Sequence, residues 1–312
     1  MSRLKSLGSF VAVCLLAAPA SAQVVLKSKF KEGTSFKVRE KTTADQVLTL
    51  NGMPLPTKSE NTAVAVVTFG KKDEKGNLPI TTKIESLVAD LTLPGNLTVH
   101  FDSAKPDEKA SNPNLEAVLD IFRKLVGNTT TITLGPGNTV VSVEGIQEGS
   151  QVDPESIKEQ YQHEIDRFPA EPIKPGDKWK RTVKQDLGQG QVFTFERDYE
   201  YVGQVAEFPT VAGSRKLDKV TATDTSVDYS TKGNAGLINV KKSELTVESS
   251  KHTLLFDRES GRTVSSESEV KIKGPLSLAI NNMDFTGELQ LMLSQKEEEL
   301  KDGQDGGTSK QK

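Results

Sequence analysis

The residues with the widest chemical scope in this sequence are its three histidines, His100, His163 and His252. None stands in an H-x-x-x-H or H-x-H pair, the spacings that bring two imidazoles onto one face of a helix or strand, so they give no support to a metal centre. His163 lies one helical turn from Glu159 and close to Asp166, which could bring a carboxylate to the ring, but the segment reads as a solvated helix face. Serine, histidine and aspartate all occur, yet no G-x-S-x-G elbow marks a nucleophile. Glu267 and Glu269 share one face of a strand and could divide acid and base roles on a glycoside, while Lys271 and Lys273 continue that face as a polar strip. Gly188 and Gly190 flank Gln189 with no Lys-Ser/Thr pair after them, the pattern of a hairpin turn rather than a phosphate loop. The sequence therefore implies no catalytic residue, no cofactor and no metal.

Composition narrows the class further. Met1 to Ala22 has the layout of a secretory signal: Arg3 and Lys5, an apolar run from Phe10 through Ala18, then Ala20-Ser21-Ala22 as a cleavage site. The run is too short for a permanent membrane helix, which needs ~20 residues. Cys14 is the only cysteine, and Val13 before it does not suit a lipidation site, so the exported chain from Gln23 onward would carry no disulfide and no thiolate ligand. Without Arg3 and Lys5 the 43 acidic residues outnumber the basic ones, and no basic block occurs, so nucleic acid is a poor partner. A content of 35% hydrophobic and 5% aromatic residues points to thin, sheet-based cores.

Those cores must be built from strands. Leu289, Leu291 and Leu293 alternate with Glu288, Gln290 and Ser294, and Leu276, Leu278 and Ile280 repeat the pattern, as do Val264, Val270 and Ile272. Hairpin signals at Lys75-Gly76-Asn77 and Asp257 to Gly261 favour antiparallel neighbours. One helix is predicted over 112–126, from Asn112 and Pro113 to the stop at Gly127, with Leu115, Val118, Leu119, Phe122 and Leu125 on one stripe. A second starts at Asp153-Pro154 and runs to about Phe168, with Ile157, Tyr161 and Ile165 on one side, ahead of a connector carrying Pro169, Pro172 and Pro175.

Two marks recur in the same order. K-x-G-x-x-aromatic-K appears at Lys31–Lys37 and at Lys174–Lys180, and G-x-T-V-x-S at Gly137–Ser142 and Gly261–Ser266, with Trp179 standing where Phe36 stands. The spacing between the marks is longer in the first half by about one helix, which suggests an internal duplication with a helical insertion. The expected fold is mainly β (α+β): two curved antiparallel sheets from a duplication, with one or two helices packed on them. The expected organisation is a signal peptide over 1–22, a first β unit over 23–150, a helix and connector over 151–175, a second β unit over 176–295 and a disordered tail over 296–312.

The K-x-G-[ST]-x-F start at Lys31, the helix leading into Val126-Gly127, the strand end Val141-Ser142-Val143-Glu144-Gly145 and the segment from Pro172 to Trp179 together resemble a family of secreted bacterial proteins of unknown function associated with planctomycete-type genomes. The resemblance covers most of the chain after the signal and implies an exported β protein, without catalytic residues to carry over. The leading expectation is a non-enzymatic envelope protein, periplasmic or extracellular, that binds a macromolecular partner or an apolar ligand. The stripe Leu115, Val118, Leu119, Phe122 and Leu125 is the candidate lid over an apolar groove, and it serves equally as ordinary core. The alternatives are a hydrolase of envelope polymers using Glu267 and Glu269, and a purely structural envelope component.

Overall fold

The computed structural model describes residues 23–146, 153–188, 191–210, 213–231, 238–281 and 283–300. The signal segment Met1–Ala22 lies outside the described residues. In chain order the elements are β1 (Ser35–Leu50), β2 (Met53–Phe69), β3 (Leu78–Leu93), β4 (Leu97–Asp102), a 3₁₀ turn (Pro113–Leu115) running into α1 (Glu116–Leu125), β5 (Thr129–Leu134), β6 (Val140–Glu144), α2 (Pro154–Ile165), β7 (Lys178–Gly188), β8 (Gln191–Thr210), β9 (Gly213–Thr231), β10 (Ile238–Ser243), β11 (Thr246–Asp257), β12 (Arg262–Ile280) and β13 (Met283–Glu299).

Local chemistry sets the boundaries. Asn51 and Gly52 both take positive φ and close a two-residue loop between the paired residues Leu50 and Met53, the turn that matches strand twist. The Asn112 side chain accepts from the Asn114 amide at 3.0 Å, and Gly127 at φ 81 follows the end of α1, so the first helix forms where the spacing predicts. Asp153 caps α2 in the same way, accepting from the Glu155 amide at 3.1 Å.

The strands form one antiparallel sheet in the order β6-β5-β3-β2-β1-β13-β12-β11-β9-β8-β7, with β4 beside β3 and β10 beside β12. The expectation of two separate curved sheets is thereby corrected. The cause is β13, which pairs along its length with β1 on one side and with β12 on the other, joining the two runs edge to edge. Each repeated turn motif opens a strand, β1 or β7 for the first mark and β6 or β12 for the second. The expected tail is corrected in part as well. Lys296 to Glu299 remain in β13 opposite Lys41 to Val38, and Leu300 is buried, with its amide donating to the Lys37 carbonyl at 2.8 Å. Charges alone suggested a tail, but Arg39 pairs with Glu298 and Arg262 with Glu299 across the ladder.

The sheet wraps so that its two end strands, β6 and β7, both meet α2. Val140 at the β6 edge donates its amide to Gln162 Oε1 at 2.8 Å, and Lys184 on β7 reaches Glu159 at 2.9 Å. Wrapping brings the inner faces of β8 and β9 against those of β1, β12 and β13, where Phe193, Phe195 and Tyr229 pack with Ile272, Leu278 and Leu289. At the other end Val24, Leu26, Phe168, Ile173, Tyr201 and Phe256 form a second cluster. The α1 stripe packs on β3 and β4, as Leu115 and Leu119 bury against Leu87, Val99 and Phe101.

Candidate functional site

Two cavities occupy the space enclosed by β1, β13, β12, β11, β9, β8, β7 and α2. The first, of about 230 Å³, is lined by Leu48, Phe193, Ile272, Leu276, Leu278, Leu289 and Leu291, with Gln46, Gln185 and Gln191 among its few polar groups. The second, of about 490 Å³, is lined by Glu40, Tyr161, His163, Glu164, Arg167, Arg181, Arg197, His252, Gln295 and Glu297. Gln185, Phe195, Val270 and Leu293 line both, so the apolar volume lies directly beside the polar one.

Strand alternation makes this gradient. Along β13, Leu289, Leu291, Leu293, Gln295 and Glu297 share a face, and along β8 the residues Phe193, Phe195, Arg197, Tyr199 and Tyr201 do so. On β9 the sequence alone would send Asp224 to one face and Val227 and Tyr229 to the other. A bulge between Arg197 and Glu196, opposite the extra residue Thr225, shifts the register and places all three buried.

The polar cavity is anchored by a buried knot. Arg197 Nε–H donates to Asp224 Oδ1 at 2.6 Å, His252 Nε2 lies 2.7 Å from Asp224 Oδ2, and Ser250 Oγ–H donates to the same oxygen at 2.8 Å. The Asp224 amide in turn donates to Ser250 Oγ at 3.0 Å. Burial works to raise the Asp224 carboxyl, but the His252 hydrogen bond and the Arg197 charge outweigh it and hold it down to about 2. Burial pushes the His252 imidazole below its ordinary value, against the pull of Asp224. The stable arrangement is an ionised Asp224 facing Arg197 and a neutral His252 donating from Nε2. Serine and aspartate thus meet the same ring nitrogen, whereas a nucleophile relay needs them on opposite nitrogens. The knot fixes the wall of the cavity and is not a serine-hydrolase triad.

On the facing wall Glu40 and Glu297 are direct cross-strand partners on β1 and β13, like charges brought together. Glu40 is held by Gln295 Nε2–H at 2.9 Å and Thr42 Oγ1–H at 3.2 Å. Burial pushes the Glu297 carboxyl up, Glu40 adds to the effect, and Arg167 opposes it. Tyr161 is raised by burial and by the same two carboxylates. Arg167 itself is ion-paired with Glu164. This layer offers donors and acceptors of both signs to a polar group entering from the apolar side.

Of the sequence-selected residues, His163, His252 and Glu267 are in the lining of the polar cavity and the others fall elsewhere. Leu115, Val118, Leu119, Phe122 and Leu125 pack together against β3 and β4, and none lines either cavity. Glu267 and Glu269 face outward with Lys296 at 3.4 Å and Lys271 at 3.6 Å. His100 pairs with Asp90 on the surface, and His163 lines the polar cavity while Glu159 turns to Lys184 and Asp166 to Gln162. Among the described residues no group of three or more His, Cys, Asp or Glu is placed to hold a metal ion. Trp179 stacks on Tyr199 at 5.5 Å and donates Nε1–H to the Arg167 carbonyl at 2.8 Å, serving as the anchor where β7 begins. Residues 189–190 of the expected Gly188–Gly190 turn lie outside the described residues, and β7 and β8 pair as a hairpin around them.

Together these features define a helix-closed antiparallel sheet enclosing a lumen that is apolar at one end and charged at the other. No family model matches the sequence, and a search of curated proteins finds no match. Among solved structures, one described as lipid-protein interactions in lipovitellin aligns over 87% of this chain at 9% identity and a TM-score of 0.44, and this chain spans 25% of the lipovitellin chain. An outer membrane channel from Pseudomonas putida F1 aligns over 88% of this chain and 97% of its own at 8% identity and a TM-score of 0.23. The translocator domain of the autotransporter NalP from Neisseria meningitidis aligns over 86% and 90% at 8% identity and a TM-score of 0.20. At these scores none carries an assignment. Among the described residues no helix is long and apolar enough to cross a membrane.

Proposed function

We propose that this chain is an exported, non-enzymatic envelope protein that holds an apolar ligand bearing a polar head inside the wrapped sheet. The observation that carries the reading is the adjacency of the two cavities: a leucine- and phenylalanine-lined volume of about 230 Å³ shares Gln185, Phe195, Val270 and Leu293 with a charged one of about 490 Å³. Ligand sites join an apolar lining to a few placed polar groups, and this lumen has that arrangement. Export rests on the Met1–Ala22 segment. The hydrolase reading has less support, because Glu267 and Glu269 each face solvent beside a lysine.

The test is titration with N-phenyl-1-naphthylamine, whose fluorescence rises in apolar surroundings, against the native chain and Leu291→Trp. Burial is worth about 0.8 kcal/mol per methylene, so an indole that displaces four such groups from the apolar cavity removes about 3 kcal/mol, more than ~100-fold in affinity. Equal binding by both proteins would place the ligand elsewhere. Native mass spectrometry of the protein purified gently from its own cells should show excess mass that is lost on denaturation.

A further inference from the structure

The wall around the lumen is a continuous backbone ladder from β1 through β13, β12, β11, β9 and β8 to β7, and then the ladder stops. The next stave is α2, and its two seams differ. Toward β6 the helix is held by packing: Tyr161 and Ile165 sit against the buried cluster that contains Ile132 and Val140, and Gln162 accepts the Val140 amide. Toward β7 the described contacts come from side chains, and the seam is pinned just past the helix end, where Trp179 Nε1–H donates to the Arg167 carbonyl at 2.8 Å. Lys184 Nζ meets Glu159 Oε2 at 2.9 Å with both side chains well exposed, at 38% and 45%, and Arg181 reaches the Asp166 carbonyl just beyond the helix at 3.1 Å. Exposed pairs of this kind contribute little, whereas each ladder seam must break many backbone hydrogen bonds to part. The polar cavity lies directly beneath this seam, with His163 and Glu164 from one side and Val183 and Gln185 from the other in its lining, and Gln185 also lines the apolar cavity.

We infer that the α2–β7 seam is the portal of the lumen: α2 swings about its packed β6 side, the Lys184–Glu159 pair acts as the latch, and an apolar ligand passes between helix and strand. The inference rests on the ligand-binding reading above and adds the route by which the ligand enters.

The chain is suited to a direct test, because Cys14 is its only cysteine. In the full chain carrying Cys14→Ala, Glu159→Cys and Lys184→Cys are joined by a short bifunctional methanethiosulfonate, which spans the space of the two removed side chains and is released by reductant. A control pair, Lys41→Cys with Glu60→Cys, is joined across β1 and β2, which the ladder already holds together. Uptake of N-phenyl-1-naphthylamine is followed by stopped-flow fluorescence. Joining α2 to β7 should slow uptake at least roughly tenfold, as expected when binding depends on a conformational step, with recovery on reduction and no change in the control. Uptake at the same rate with the seam joined or released would overturn the portal while leaving the ligand reading intact. Failure of every form, including the native chain, to bind the probe would overturn both. Lys184→Ala, which removes the latch without any crosslink, should speed uptake, and slower uptake by a folded Lys184→Ala protein would also count against the portal.

Discussion

Replacing Asp224 by asparagine should destabilise the fold more than any surface substitution, and the structure sets the size of the effect. Asp224 is 3% exposed and carries Arg197, His252 and Ser250 on its two oxygens. Its carboxyl is held at about 2 against an ordinary 3.8, and at 1.36 kcal/mol per pKa unit this corresponds to roughly 2 kcal/mol of stability at neutral pH. Asparagine keeps the shape but leaves Arg197, whose side chain is 17% exposed, without its counterion. Removing one partner of a buried pair costs about 3–5 kcal/mol, and the residual exposure of Arg197 places the expectation at about 3 kcal/mol. Urea unfolding followed by far-ultraviolet circular dichroism at pH 7 gives the shift in midpoint. The double variant Arg197→Leu, Asp224→Leu removes both charges from the pair and should cost less than the sum of the two single changes. A loss below about 1 kcal/mol for Asp224→Asn, or strict additivity in the double variant, would refute the view that the knot is a coupled, buried charge network.

Acidification should weaken the protein in two stages: unfolded His252 takes up a proton near 6.5 that the buried imidazole resists, and the stability from Asp224 is lost as pH falls from 3.8 toward 2. His252→Gln should remove the first stage in urea midpoints measured across pH, and Glu297→Gln should steepen the acid loss, because the raised Glu297 carboxyl favours the folded state as pH falls toward 4.5. Leu119→Ala, at a side chain buried between α1 and the β3–β4 pair, should lower stability by about 2–5 kcal/mol with probe affinity unchanged, and a loss of affinity at full stability would return the α1 stripe to the ligand site. Gly274→Ala should lower the melting temperature, since a Cβ there would stand 2.3 Å from the Glu244 carbonyl oxygen where β12 passes from β11 to β10.

Local features were legible in the sequence. Caps and stops located both helices, glycine and asparagine located turns, and alternation located the inner faces of β12 and β13. Pairing across the chain was not, because nothing local tells Val38 that its neighbour is Glu299. The lumen was hidden by an assumption built into alternation, that a polar residue in a strand faces water. Here Arg197 sits among Phe193, Phe195, Tyr199 and Tyr201, His252 shares a face with Leu254 and Phe256, and Glu297 follows Leu289, Leu291 and Leu293. A charge embedded in an apolar face is a readable signal of an interior polar layer. Asp224 carries the same sign, following Val220 and Ala222 on one face, and the bulge at Thr225 then brings Val227 and Tyr229 inward as well.

The position of β13 also dictates the order in which this molecule can become itself. β1 and β12 each keep one edge unpaired until the final strand arrives between them, and β13 follows β1 by more than two hundred residues. At ~5–20 residues per second of synthesis, the β1 edge stays unpaired for on the order of ten seconds or more. Long unpaired edges invite pairing with other chains, and sheets closed by distant strands fold slowly. The protein therefore depends on being kept apart from its own copies until β13 is released, and a chain ending before Met283 should accumulate as aggregates rather than as a smaller folded unit.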